Sequence, residues 1–151
     1  KMLFFSTQHQ VVAETALKIF KQNKLFGIGP KMFRIMCKDH KYYYEYACST
    51  HPHNIYIQLL AETGIVGFIP VFFGFLFVCY VFFIQIFRSF LFKKLLLVSD
   101  YQICLYTAIL ISLWPLIPTG SMFNNWLGVI FFLPIGFLLH SINNKHKESI
   151  P

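Results

Sequence analysis

Ile65-Val66-Gly67-Phe68-Ile69-Pro70-Val71-Phe72-Phe73-Gly74-Phe75-Leu76-Phe77-Val78-Cys79-Tyr80-Val81-Phe82-Phe83-Ile84-Gln85-Ile86-Phe87 contains one amide and no charged side chain. Its 23 residues, at about 1.5 Å each, reach about 35 Å as a helix, enough to cross a hydrocarbon core of about 30 Å. The composition agrees. The chain of 151 residues is 56% hydrophobic and 19% aromatic, but only 13% charged, against about 25% in soluble domains. Its 19 Phe are gathered into apolar runs. The expected fold class is an all-α integral membrane protein: three transmembrane helices preceded by a helical extracytoplasmic segment.

Downstream of this run, Arg88, Lys93 and Lys94 follow at once, opposed only by Asp100. A second span is expected at about 101–117, ending in Trp114-Pro115-Leu116-Ile117-Pro118, an aromatic anchor with helix-stopping prolines. A third is expected at about 123–140, kinked at Pro134, with Gly128 and Gly136 offering flat surfaces to a neighbouring helix. The tail, 141–151, carries Lys145 and Lys147 against Glu148, while the loop Thr119–Asn125 has no charge. The positive-inside rule then places both basic segments in the cytoplasm and Thr119–Asn125 outside. Residues 1–63 fall outside as well. Their eight Lys and Arg do not oppose this, because the rule is counted over short loops. No span and no signal peptide precede this region within the sequence, so the chain reads as the C-terminal piece of a longer protein.

Within 1–63, Thr7–Lys24 reads as an amphipathic helix, with Val11, Val12, Thr15, Ile19 and Phe20 toward one face. Leu25-Phe26-Gly27-Ile28-Gly29-Pro30 is a turn signature and not a dinucleotide fingerprint, since Met32 stands where a third Gly would be. Lys31–Tyr46 is basic and holds Tyr42, Tyr43, Tyr44 and Tyr46. That stretch fits an interfacial aromatic belt or a sugar-stacking surface. Cys79 and Cys104 lie inside apolar runs. Cys37 and Cys48 flank the Tyr-rich stretch and suit a disulfide in an oxidising compartment, or leave Cys48 free or metal-bound.

The helix leading into the apolar run opens with Cys48-Ser49-Thr50-His51-Pro52-His53-Asn54. Ser49 or Thr50 is expected to cap it, with Pro52 in its first turn. His53 then sits at a helix N-terminus, where the positive end of the macrodipole disfavours imidazolium. Three readings of the histidines compete: packing or capping, a zinc site from His51, His53, Cys48 and His40, and a general base. The zinc reading lacks the separated ligand pairs of structural sites. Glu62 reads as a solvated charge near the helix end in preference to a group that, like Asn54, orients the ring or the substrate.

His53-Asn54, nine residues, then Gly64-Ile65-Val66-Gly67 resembles the periplasmic-loop motif of the O-antigen ligase and O-antigen polymerase superfamily. Thr15–Phe20, Leu25–Pro30 and Phe33-Arg34 are similar to the segment that precedes that motif, and Pro118–Trp126 to the stretch between the last spans. The resemblance implies a glycosyltransferase of the bacterial inner membrane, multi-pass, with residues 1–63 periplasmic. Its donor would be a glycan on undecaprenyl pyrophosphate. Its acceptor would be lipid A-core, a growing polysaccharide or, in related enzymes, a protein hydroxyl. No cofactor, metal or nucleic acid is implied; membrane lipids are. The family's catalytic histidine maps onto His53. Arg34, the one Arg of the outer segment, would grip pyrophosphate, helped by Lys31 and Lys38, with His51 and Asn54 beside the substrate. A lipid-linked-sugar transporter or flippase fragment, or a non-catalytic membrane scaffold, would share the basic outer face without needing His53 near a nucleophile.

Overall fold

The computed structural model describes residues 7–42, 46–92 and 98–148. Tyr43 and Tyr44 of the Tyr-rich stretch, Lys93 and Lys94 of the basic loop, and positions 1–6 and 149–151 lie outside the described residues. The described residues form five helices and no strand: α1 (Thr7–Gln22), α2 (Phe33–Met36), α3 (Ile55–Phe92), α4 (Asp100–Ser112) and α5 (Asn125–Glu148). Two compact units arise. One comprises Lys1–Phe72 with Pro115–Leu127, the other Phe73–Trp114 with Gly128–Pro151.

Two helical stretches, Ile55–Phe90 and Asn125–Asn144, are long and apolar enough to cross a membrane. Their side chains, including Phe73, Phe77, Phe83, Val129, Phe132 and Leu139, are largely exposed, as a lipid-facing surface requires and a water-facing one disfavours. The second expected span differs. α4 has 13 residues, about 20 Å of helix. It ends where Leu113 leaves helical geometry, just before Trp114-Pro115, because the residue preceding proline is pushed out of the α region. Its start is fixed by a capping box: Ser99 Oγ accepts from the Gln102 amide, and Gln102 Oε1 accepts from the Ser99 amide at 3.1 Å. Gln102 Nε2 also donates to Ser141 Oγ on α5 (3.2 Å). α5 runs through Pro134 and continues past His140 to Glu148.

The first unit has its own core. Val12, Ala16 and Ile19 of α1 pack with Phe33, Cys37, Tyr42 and Ala61. The amphipathic reading of α1 thus holds in its essentials, although the helix stops at Gln22 and Val11 and Phe20 are only half-buried. Asn23 closes it, its side-chain amide donating to the Ile19 carbonyl (3.2 Å). Tyr42 departs from expectation. It is neither a belt residue nor a stacking surface but a core residue, whose hydroxyl donates to Gln22 Oε1 (2.7 Å).

α3 is two helices joined end to end. At Gly64 the backbone turns to φ 65° and ψ −162°, a conformation open to glycine and strained for other residues. Such a break strands carbonyls at the end of the first part and amides at the start of the second. The turn after α1 satisfies both sets. The Ile28 and Gly29 amides donate to the Ala61 and Glu62 carbonyls (3.1 and 2.8 Å), and the Lys24 and Leu25 carbonyls accept from the Ile65 and Val66 amides (2.9 and 3.2 Å). The two backbones lie so close that a Cβ on Gly27 would overlap the Glu62 carbonyl, and one on Gly64 the Leu25 carbonyl.

Gly27→Ala and Gly64→Ala each add a left-handed penalty of about 1–2 kcal/mol to a backbone overlap. Each is expected to destabilise the detergent-solubilised protein by at least about 2 kcal/mol in thermal unfolding. Gly128→Ala and Gly136→Ala, which meet no described atom within 4 Å, are expected to leave the transition in place.

Candidate functional site

The site is assembled where the chain enters α3. Asn54, rather than Ser49 or Thr50, caps the helix: its Oδ1 accepts from the Tyr56 and Ile57 amides (3.0 and 3.1 Å). Its Nδ2 donates to the Pro115 carbonyl (2.7 Å). Pro52 therefore precedes the helix instead of lying in its first turn. Asn54's amide is committed to holding the helix start against the segment 115–127.

His53 has a left-handed backbone, φ 57°, which a non-glycine residue keeps only when its surroundings hold it. They do so here. The Thr119 amide donates to the His53 carbonyl (2.9 Å). Ser49 Oγ lies 3.0 Å from His53 Nε2. The ring also belongs to a cluster of three imidazoles: His51 at 4.3 Å between centroids, tilted, and His9 of α1 at 5.0 Å, edge-on. Burial lowers the His53 pKa below the ordinary imidazole value, and the neighbouring His51 and His9 rings lower it further. The folded environment thus favours the neutral form of His53.

His51 has a defined tautomer. Its Nε2 lies 3.1 Å from the Thr119 carbonyl, which can only accept, so Nε2 carries the proton. In the neutral ring Nδ1 is then an acceptor, and Thr50 Oγ1 donates to it at 2.9 Å. Both nitrogens are occupied, which fixes the ring against His53.

Lys31, Arg34 and His51 line one cleft of about 500 Å³, whose other side is formed by Gly120, Ser121, Asn124 and Asn125. His53 instead lines a small cavity of about 30 Å³ with His9, Asn54, Leu116 and Pro118, roughly the volume of one water molecule or hydroxyl group. His51 connects the two by touching His53 and facing the cleft. Lys38 is exposed and lines neither cavity.

Cys37 and Cys48 are joined as a disulfide, with Cα atoms 5.3 Å apart. The bond links the chain just after Arg34 to the residue before Ser49. It also removes Cys48 as a thiolate ligand, and no metal-binding group of three or more His, Cys, Asp or Glu occurs among the described residues.

Glu62 corrects the sequence reading most sharply. It is fully buried, not solvated. Its Oε1 accepts from the Phe33 amide (3.0 Å), and its Oε2 from Gln58 Nε2 (2.9 Å). A polar side chain four residues before it, on the same helix face, was the one available signal. His9, Ser49 and Thr119 left no such signal, because their proximity to His53 arises only on folding.

Helical architecture, two long apolar helices and this cluster define a membrane protein with a cationic cleft beside a neutral imidazole. Residues 10–72 match the family model of the O-antigen ligases. The match holds His53, Arg34, Glu62 and both sides of the break at Gly64. Neither the curated proteins nor the solved structures contain a match to this chain.

His53 binds its proton more weakly in the folded protein than in the unfolded chain. Its contribution to stability is therefore intact above pH about 6.5 and declines as the pH falls below that value. His51→Asn is expected to raise the His53 pKa toward 6.5, and His9→Asn to raise it less. The pH dependence of diethyl pyrocarbonate modification at His53, read by mass spectrometry, reports both shifts.

Proposed function

We propose that this chain carries the acceptor-activating and donor-binding part of a glycosyltransferase. The enzyme would move a glycan from undecaprenyl pyrophosphate to a hydroxyl of lipid A-core or a growing polysaccharide. The observation that carries this reading is the arrangement of cations and imidazoles: Lys31 and Arg34 share a cleft with His51, whose ring touches a His53 held neutral. A pyrophosphate needs positive charge as it leaves, and an acceptor hydroxyl needs a base that is unprotonated at working pH.

Among the described residues His53 Nδ1 has no hydrogen-bond partner, while Nε2 faces Ser49 Oγ. In the productive tautomer Nε2–H donates to Ser49, and the Nδ1 lone pair is left for the substrate. Nδ1 takes the acceptor proton as the acceptor oxygen bonds to the sugar C1. The bond from C1 to the pyrophosphate oxygen breaks, and its electron pair leaves with the phosphate. Arg34 grips two phosphate oxygens in a bidentate way, and Lys31 adds a point charge. Lys38 supplies a more distant charge on the same basic arm. His51 and Asn54 act through position: one orients His53, the other holds the mouth of α3.

The same reading puts residues 1–63 in the periplasm of an inner-membrane protein with three membrane segments, 64–140, and a cytoplasmic tail, 141–151. Three features support it. The basic segments flank the apolar runs on the side expected of cytoplasmic loops. The Cys37–Cys48 disulfide suits an oxidising compartment. Hydrogen bonds from His51 and Asn54 to Thr119 and Pro115 bring the uncharged loop to the histidines.

In the full-length protein, His53→Ala is expected to abolish glycan transfer at an unchanged membrane level; undiminished transfer removes His53 from the mechanism. Arg34→Ala is expected to weaken donor use more than Arg34→Lys, and equal activity of the two would speak against a phosphate contact. Both are read by transfer from a lipid-pyrophosphate glycan to a defined acceptor in vitro.

A further inference from the structure

The cleft has two walls that are far apart in sequence. Lys31 and Arg34 form one; Ser121 and Asn124 belong to the other. The side chains that connect them do not line the cleft at all. Gln58 and Glu62, 1% and 0% exposed, lie one turn apart in the first part of α3. Glu62 Oε1 accepts from the Phe33 amide, next to Arg34, at 3.0 Å. Glu62 Oε2 accepts from Gln58 Nε2 at 2.9 Å. Gln58 Nε2 also donates to Ser121 Oγ (2.7 Å), and Gln58 Oε1 accepts from the Met122 amide (3.1 Å).

We infer that Gln58 and Glu62 are a pair of positioning residues that set the separation of the two walls, and so the fit of the donor's phosphate-linked end in the cleft. The inference rests on the donor reading given above. Its logic is one of donors and acceptors. A carboxylate only accepts, so Glu62 forces the Gln58 amide to point its nitrogen inward. That orientation turns Gln58 Oε1 to Met122. A glutamine at position 62 can still accept from Phe33, but it then presents a second donor to Gln58 Nε2. Gln58 must lose that bond or flip, and a flip surrenders Met122. One change beside Arg34 is thereby transmitted to the opposite wall. Exchanging the two residues restores every bond. The carboxylate, moved to position 58, accepts from the Met122 amide, the Ser121 hydroxyl and the side-chain nitrogen of the glutamine now at position 62. The oxygen of that glutamine accepts from the Phe33 amide.

The test compares the full-length protein in lipid nanodiscs as wild type, Glu62→Gln, Gln58→Glu and the double exchange. Two quantities are read: donor KM and kcat for transfer from undecaprenyl pyrophosphate-linked glycan, and amide hydrogen exchange in peptides covering Phe33 and Met122. Each single variant is expected to raise donor KM about ten- to hundredfold with kcat much less affected. Glu62→Gln is expected to speed exchange at Met122 as well as at Phe33. The double exchange returns KM and both exchange rates to wild-type values. Unchanged Met122 exchange in Glu62→Gln overturns the inference, as does a double exchange that stays impaired. Where a single variant does not accumulate, the double exchange alone decides: wild-type behaviour supports the pair, and raised KM or faster exchange overturns it. If the variants show these exchange differences while the full-length wild-type protein transfers no glycan, the link between the walls stands and the transferase reading alone is removed.

Discussion

The structure depends on an exchange of backbone hydrogen bonds between the turn after α1 and the break in α3. A helix interrupted at Gly64 leaves polar groups stranded on both sides, and buried polar groups left unpaired are costly. The turn Lys24–Gly29 offers two amides to the carbonyls and two carbonyls to the amides. Glycine at 27 and 64 is what lets the chains approach closely enough. The turn that follows α1 is docked on α3 through this contact, and the arm bearing Arg34 follows it in the chain.

A second layer of polar contacts builds on the first. Glu62 lies on the last turn before the break and reaches Phe33. Gln58, one turn earlier, reaches Ser121 and Met122. Asn54, a further turn back, reaches Pro115, and His51 reaches Thr119. His51, Asn54 and Gln58 thus bond to the segment 115–127, and Glu62 ties Gln58 to Phe33, each with a named partner. Buried polar groups so satisfied fix one arrangement, whereas apolar packing tolerates several. That rigidity lets His53 be held in a left-handed conformation with two imidazoles against its ring.

The disulfide closes the remaining freedom. Arg34 and Ser49 lie on opposite sides of a loop that includes the Tyr-rich stretch. Cys37–Cys48 pins the ends of that loop together, while Tyr42 anchors it in the core. The cation and the residue facing His53 Nε2 are therefore mechanically connected through covalent and hydrophobic contacts rather than through the loop's own backbone.

The amino-acid sequence determined the apolar helices, the amphipathic α1, the turn at Gly27–Pro30 and the histidine-bearing motif, because hydrophobic period and glycine or proline placement act locally. It misjudged Glu62, Tyr42, the helix cap and the length of α4. A carboxylate or a phenol is polar wherever it is written, and only its surroundings decide whether it is solvated or buried. The neutral state of His53 is likewise a tertiary property, since burial and the nearness of His51 and His9 produce it. The pairing of Gln58 and Glu62 with Ser121 and Phe33 joins segments 63 and 29 residues apart, and no local pattern encodes contacts at that range.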